Sequence, residues 1–300
     1  MKKFLILFIT IFFVFNFNAA AHSGCGGQGG LGDEGFTVGL ELGIDAVTED
    51  DRIPYLTASA SFGHSFLENT FDLFTELNYT LGFGDHDHIH DHDDDNDMIH
   101  SMYFNFMLGY NLELGVDNES TLSFILQNEF IDFAVSPRID DSYNVTGVFT
   151  PAVLFSHELD RGDIYAQLGV PITYIQPEKD AELEVGLDFT LGWESLFGLE
   201  LEVTLLTILT PGEDAGLDGV ELVIGYDFEP FHFSVETFIP INEFDHRGIS
   251  ILPLIEYSYK NFVFYAGCEL DGIGIHEAEN GDGHGHSLHI TPFIGFKYTF

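Results

Sequence analysis

Apolar and polar residues alternate from residue 36 to the C-terminus, in segments of about ten residues separated by turn-rich gaps. In residues 36–44, for example, the even positions are apolar and the odd positions include Thr37 and Glu41. A period of two residues is typical of β-strands with one apolar face. Fourteen such segments predict an all-β chain, or twelve or sixteen strands if segments are merged or split. The segment 121–134 is the least regular; its apolar face switches midway, which predicts a bulge.

The connections between the segments alternate in length along most of the chain. Short gaps lie at 115–120, 157–162, 194–198, 229–230 and 260–261. Longer gaps lie at 84–100, 135–143, 175–181, 210–218, 241–248 and 272–287. Short turns at one end and long loops at the other predict a transmembrane antiparallel up-and-down β-barrel. A soluble β-sandwich would explain the alternation. It would not explain alternating short and long connections together with an apolar run near the N-terminus and a C-terminal phenylalanine.

The C-terminal segment carries a resemblance to a known class of proteins. Apolar residues occupy alternate positions from Leu288 to Phe300, so the chain ends on an amphipathic strand with a terminal phenylalanine. This strand resembles the assembly signal of bacterial outer-membrane β-barrel proteins. The resemblance implies a cell outer-membrane location, contact with outer-membrane lipid, and recognition by the outer-membrane assembly machinery through the strand ending in Phe300.

The N-terminus has the layout of a secretory signal peptide. Lys2 and Lys3 precede an apolar run over residues 4–17, and Ala19-Ala20-Ala21 offers a cleavage site. We therefore predict a signal peptide over 1–21, a flexible glycine-rich tail over 22–35 and a barrel over 36–300. The two cysteines, Cys25 and Cys268, are expected to be free.

The charge of the chain bears on the barrel interior. The sequence has 50 acidic residues against nine Lys and Arg, a formal net charge of −41, which excludes a nucleic-acid partner. If the apolar faces contact lipid, the polar faces line the interior. Those faces carry fourteen acids, namely Glu41, Asp45, Asp72, Glu76, Glu113, Glu184, Asp188, Glu200, Glu202, Glu221, Asp227, Glu236, Glu256 and Glu269. Lys297 is the one base that we place on a strand, the others falling in loops or turns. We therefore predict a hydrated, cation-preferring channel, with an interior plugged by a loop or the tail as the alternative.

Two histidine-rich tracts lie in long connections. The first contains His86, His88, His90 and His92 with Asp85, Asp87 and Asp91, and the second contains His276, His284, His286 and His289. Imidazole with carboxylate is suited to zinc, nickel or copper. The tracts join segments 3 to 4 and 13 to 14, so we expect both on the extracellular side, where they bind divalent cations. No cofactor is required. The alternative is a solvated low-complexity loop whose histidines are incidental.

We expect no enzymatic activity. Ser65 follows His64 and Ser156 precedes His157, but adjacent strand residues point to opposite faces, so neither pair is a catalytic dyad. No nucleophile-elbow, phosphate-loop or zinc-protease motif is present. The remaining functional alternatives are a non-transporting surface barrel, of the adhesin or antigen type, and after it an outer-membrane hydrolase.

Overall fold

The computed structural model describes residues 35–46, 52–67, 69–83, 98–115, 119–131, 145–176, 182–210, 215–241, 248–273 and 289–300. All its regular elements are strands. They are β1 (Gly35–Ala46), β2 (Arg52–Phe66), β3 (Phe71–Phe83), β4 (Met98–Leu114), β5 (Ser120–Ile131), β6 (Val145–Leu159), β7 (Gly162–Gly169), β8 (Ile172–Gln176), β9 (Glu182–Ser195), β10 (Leu199–Ile208), β11 (Gly216–Phe228), β12 (Phe231–Pro240), β13 (Ile249–Tyr259), β14 (Phe262–Ile273) and β15 (His289–Thr299).

Fourteen strands surround the barrel, because β7 and β8 are two halves of one strand. Both halves pair with β6 on one side and with β9 on the other. The break falls at Val170 and Pro171, where proline supplies no backbone N–H. The backbone still bonds to both neighbours, since Val170 N donates to Pro151 O and Gly186 N donates to Pro171 O. The predicted all-β class and the count of fourteen strands are confirmed.

The barrel closes between the first and last strands. β1 pairs antiparallel with β15 from Thr37↔Thr299 to Gly43↔Phe293. At the seam the Thr37 and Thr299 hydroxyls are 3.0 Å apart, and Phe300 N donates to Phe36 O. Every strand is thus hydrogen bonded on both sides, the condition for a sheet in lipid, where an open edge would leave backbone groups unsatisfied.

The outer face is apolar and exposed. Leu183, Leu191, Ile224 and Ile294 each expose more than half of their surface. Buried polar residues such as Asn105 occupy the opposite face of the sheet. This distribution is that of a barrel whose outside contacts lipid.

Aromatic rings collect on the outer face near the short turns. Phe71 contacts Tyr110, Phe262 contacts Tyr298, and Phe300 contacts Phe36, with tilted rings at centroid distances of 4.6–5.7 Å. An aromatic girdle of this kind marks the membrane–water interface of outer-membrane barrels. Both ends of the barrel chain, Gly35 and Phe300, lie on this short-turn rim.

Two local predictions were wrong. β5 has no bulge, because its register with β4 and β6 is continuous over its length. The apolar face changes because Ile125 points inward, and not because the strand is interrupted. The register shifts lie instead opposite Leu206–Thr207 and at Ile249–Ile251. Arg52 also belongs to a strand, since it begins β2, so Lys297 is not the one strand base.

The predicted signal peptide and most of the predicted tail lie outside the described residues; β1 begins at Gly35, one residue before the predicted boundary. No helix long and apolar enough to cross a membrane lies within the described part of the chain.

Candidate functional site: the barrel interior

The strand register places all fourteen predicted interior acids on the polar face of the sheet. For Asp45 the backbone position alone supports this, because its side chain is outside the described part. Their surroundings differ: Asp72 and Glu256 are almost fully buried, whereas Glu113 and Glu236 are exposed. The same face carries Glu129, Asp163, Glu194 and His232, which the sequence analysis did not single out.

Seven carboxylates form one continuous surface on β9–β12, here called the acidic wall. It comprises Asp188, Glu194, Glu200, Glu202, Glu221, Asp227 and Glu236. Glu202 is the centre of this wall, since it is close enough to repel Glu200, Glu221 and Glu236. These four strands contain no Lys or Arg. The one side chain on these four strands that can carry a positive charge is therefore a histidine.

That histidine is His232 on β12. Its Nδ1 lies 2.6 Å from Asp227 Oδ1 on the neighbouring strand, and its ring also faces Glu200. Asp227 and His232 are directly opposite in the register. One imidazole can compensate one carboxylate when protonated, so most of the charge of the acidic wall has no counter-charge on these strands.

The wall formed by β4–β7 is different. Ile125, Ala152 and Leu154 point inward and are only 6–7 % exposed, and Met107 and Tyr165 pack against them. We call these five side chains the apolar patch. Apolar side chains on the inner face of a membrane barrel do not contact lipid, so they are buried against each other and against the rest of the interior.

Tyr165 joins the apolar patch to the acidic wall. Its ring packs against Ile125, Ala152 and Leu154 of the patch. Its hydroxyl donates to Glu202 Oε2 at 2.5 Å, two strands away around the barrel. The ring lies over Gly192, its cross-strand partner, where a Cβ atom would overlap it. The glycine thus lets the ring lie flat along the wall toward Glu202.

The same arrangement recurs at the seam. Tyr55 lies over Gly43 and donates to Glu41 Oε1 at 3.1 Å, while Tyr265 lies over Gly295 and also bonds to Glu41. The ammonium group of Lys297 is 5.4 Å from the centroid of the Tyr265 ring. Glu41 therefore has two phenol donors, which distinguishes it from the carboxylates of the acidic wall.

A polar cluster lies on the inner face of β3–β5. Glu76, Asn105 and Glu129 are side by side in register, and Asn78 and Tyr103 form the next pair. Asn78 Nδ2 donates to Glu76 Oε1 at 3.2 Å, and the Tyr103 hydroxyl bonds to Glu129. Gln127 Nε2 also donates to Glu129.

A serine–histidine contact occurs on the outer face near the short-turn rim. Ser120 Oγ and His157 Nδ1 are 2.8 Å apart across the β5–β6 pair. Serine hydrolases need a further group that orients the histidine through its other nitrogen. Among the described residues, no side chain hydrogen bonds to the second nitrogen of His157. Ser120 and His157 meet because they are register partners on β5 and β6. The sequence pairs that we considered, Ser65 with His64 and Ser156 with His157, were adjacent residues, so they did not include this contact.

The predicted metal ligands lie outside the described residues, except His289, which begins β15. The strands that flank the tracts end or begin at Phe83, Met98, Ile273 and His289, all at the rim opposite the short turns. In the described part of the chain, no three or more His, Cys, Asp or Glu residues are grouped as a metal site. Cys268 is a free thiol on the outer face.

No protein-family model and no curated protein matches the sequence. Among solved structures, the chain is similar to an active-site mutant of outer membrane phospholipase A from Escherichia coli, with 10 % identity over 93 % of this chain and 95 % of that one, at a TM-score of 0.48. It is also similar to the NanC porin, with 9 % identity over 88 % and 100 % of the two chains (TM-score 0.46). CdiB from Acinetobacter baumannii has 9 % identity over 89 % of this chain and 60 % of that one (TM-score 0.46).

Proposed function

We propose that the protein is an outer-membrane channel that prefers cations. The observation that carries this proposal is the acidic wall, where seven inward carboxylates on β9–β12 have no Lys or Arg on their own strands. Unpaired carboxylates in a dry interior would cost several kcal/mol each, on the order of the desolvation penalty of an ion. Water and mobile cations beside the wall remove that cost. Carboxylate-lined pores attract cations and repel anions.

The apolar patch supports a pathway along one side of the barrel. Ile125 and Leu154 are nearly inaccessible, whereas Glu236 across the interior is exposed. Water and ions favour the polar side, because desolvating an ion against apolar side chains is costly. We therefore expect permeating cations to move beside Glu200, Glu202 and Glu236.

Planar-bilayer recordings in a KCl gradient test the proposal. We expect the reversal potential of the full chain to indicate cation preference. The triple variant E200Q/E202Q/E236Q should reduce that preference, because it removes three charges from the acidic wall. The matched control, E119Q/E158Q/E229Q, removes three charges from exposed positions near the short turns and should change it less. Anion preference, or no conductance, would contradict the proposal, and the second result would favour a non-transporting surface barrel.

We further propose that the two histidine-rich tracts bind divalent transition metals. Alternating imidazole and carboxylate groups support this, as does the position of the flanking strand ends at one rim. Calorimetry with Zn²⁺ should give less heat after replacement of the eight tract histidines by serine. Replacement of His64, His157 and His232 is the control, and it should leave the heat unchanged. Equal heats from the wild type and the tract variant would overturn the proposal.

A further inference from the structure

Asn105 on β4 is a buried amide between two carboxylates. Its register partners are Glu76 on β3 and Glu129 on β5, so the three side chains lie in a row on the inner face. Directly opposed side chains in an antiparallel sheet have Cβ atoms about 5 Å apart. Asn105 is only 7 % exposed, and its oxygen Oδ1 is buried without a hydrogen-bond partner.

The amide of Asn78, beside this row, also has a buried oxygen, Oδ1, without a hydrogen-bond partner. Its Nδ2 donates to Glu76. Turning the Asn78 amide over would place its oxygen against the Glu76 carboxylate, which is repulsive. Asn105 likewise bonds to the Tyr103 hydroxyl, a group that already donates to Glu129 and so accepts from the amide nitrogen. The hydrogen bonds thus fix both amides with their oxygens unsatisfied.

We propose that Glu76, Asn78, Asn105 and Glu129 form a binding site for a hard divalent cation of the Ca²⁺ type. A buried acceptor without a donor costs roughly 1–3 kcal/mol, and two of them occur beside two carboxylates. One dication accepts all four oxygens as ligands and neutralises both charges. A water molecule could donate to the amide oxygens, but it would leave the negative charge uncompensated.

The donor set selects the class of cation. It contains carboxylate and amide oxygens and neither sulfur nor imidazole, which disfavours zinc and copper. Ca²⁺ accepts six to eight oxygen ligands in a flexible geometry, whereas Mg²⁺ requires a compact octahedron and retains its water. Side chains on a rigid sheet cannot easily rearrange into an octahedron, so this donor set favours Ca²⁺ over Mg²⁺. The site is independent of the proposed channel activity, since it requires no current.

Terbium luminescence of the full-length protein in detergent tests the site, with Tb³⁺ as the Ca²⁺ probe. Tyr103 bonds to Glu129 and can transfer excitation to an ion bound there. The two histidine-rich tracts contain no Tyr, Trp or Phe, so ions bound there receive little excitation. We expect tyrosine-sensitised emission that Ca²⁺ displaces at concentrations well below those of Mg²⁺.

Two pairs of variants separate a site from general charge attraction. E129Q should weaken the binding of Tb³⁺ and Ca²⁺ by at least about tenfold, since loss of even an outer-shell partner of a metal ligand costs that much. E236Q, which removes one carboxylate from the acidic wall, should leave the binding unchanged. N105L should abolish the emission that low Ca²⁺ displaces, and N105D should retain it, because aspartate preserves an oxygen ligand. Heat-modified mobility in gels confirms that each variant is folded. Equal behaviour of E129Q and E236Q in folded protein, or no sensitised emission from the wild type, would overturn the proposal.

Discussion

Two stretches of the inner surface, formed by the same sheet, have opposite chemistry. The acidic wall on β9–β12 consists of seven carboxylates on strands without Lys or Arg, whereas the apolar patch on β4–β7 is centred on Ile125, Ala152 and Leu154, which are packed and almost inaccessible. Lipid constrains the outer face of both stretches in the same way, so the difference belongs to the interior alone. It indicates that the apolar patch stabilises the barrel by packing, whereas the acidic wall is the surface along which we propose that cations move.

The comparison predicts that an added charge is tolerated on the acidic wall and not in the apolar patch. Leu154→Asp should lower the free energy of unfolding by about 3 kcal/mol or more, because it buries a carboxylate among apolar side chains. Leu154→Asn is the control, since it removes the same packing without adding charge, and it should cost less. Urea unfolding in detergent micelles measures both. Equal losses would show that packing, and not charge, distinguishes the patch.

The boundary between the two regions depends on one glycine. Gly192→Ala should destabilise the barrel by about 1–3 kcal/mol, because the added methyl overlaps the Tyr165 ring and displaces its hydroxyl from Glu202. Gly147→Ala is the matched control, since a Cβ there meets Phe130 at an ordinary 3.8 Å. The same urea titration should leave the control near wild type. A tolerated Gly192→Ala would mean that Tyr165 is free to repack.

The hydroxyl of Tyr165 can be removed without disturbing the ring. Tyr165→Phe should lower the free energy of unfolding by about 1–2 kcal/mol, because a partly buried hydrogen bond to a carboxylate is lost. Tyr226→Phe, on the exposed outer face, should have little effect on the unfolding midpoint. A loss of similar size in both variants would show that the contact with Glu202 contributes nothing specific.

Alternation in the sequence was sufficient for the fold and for the inner position of most acids, because a period of two assigns each residue to a face without knowledge of its neighbours. It failed at Glu129, where β5 is apolar on both faces and Ile125 points inward. It also failed for Tyr165 with Gly192 and for Ser120 with His157, which meet only through strand register. The unpaired oxygens of Asn78 and Asn105 depend on hydrogen-bond direction, which no residue pattern encodes.

The smallest effect is expected where an interior carboxylate has no donor. No described residue hydrogen bonds to Glu236, and Glu202 is close enough to repel it. Glu236→Gln should therefore leave the free energy of unfolding within about 0.5 kcal/mol of wild type, or raise it. Asp72→Asn is the contrasting variant, because Asp72 accepts hydrogen bonds from Ser65 and Asn111, both at 2.6 Å. It should destabilise the barrel by about 1–3 kcal/mol in the same urea titration. If Glu236→Gln were the more damaging of the two, the acidic wall would be part of the packed structure, and its carboxylates would not be available to hydrated cations.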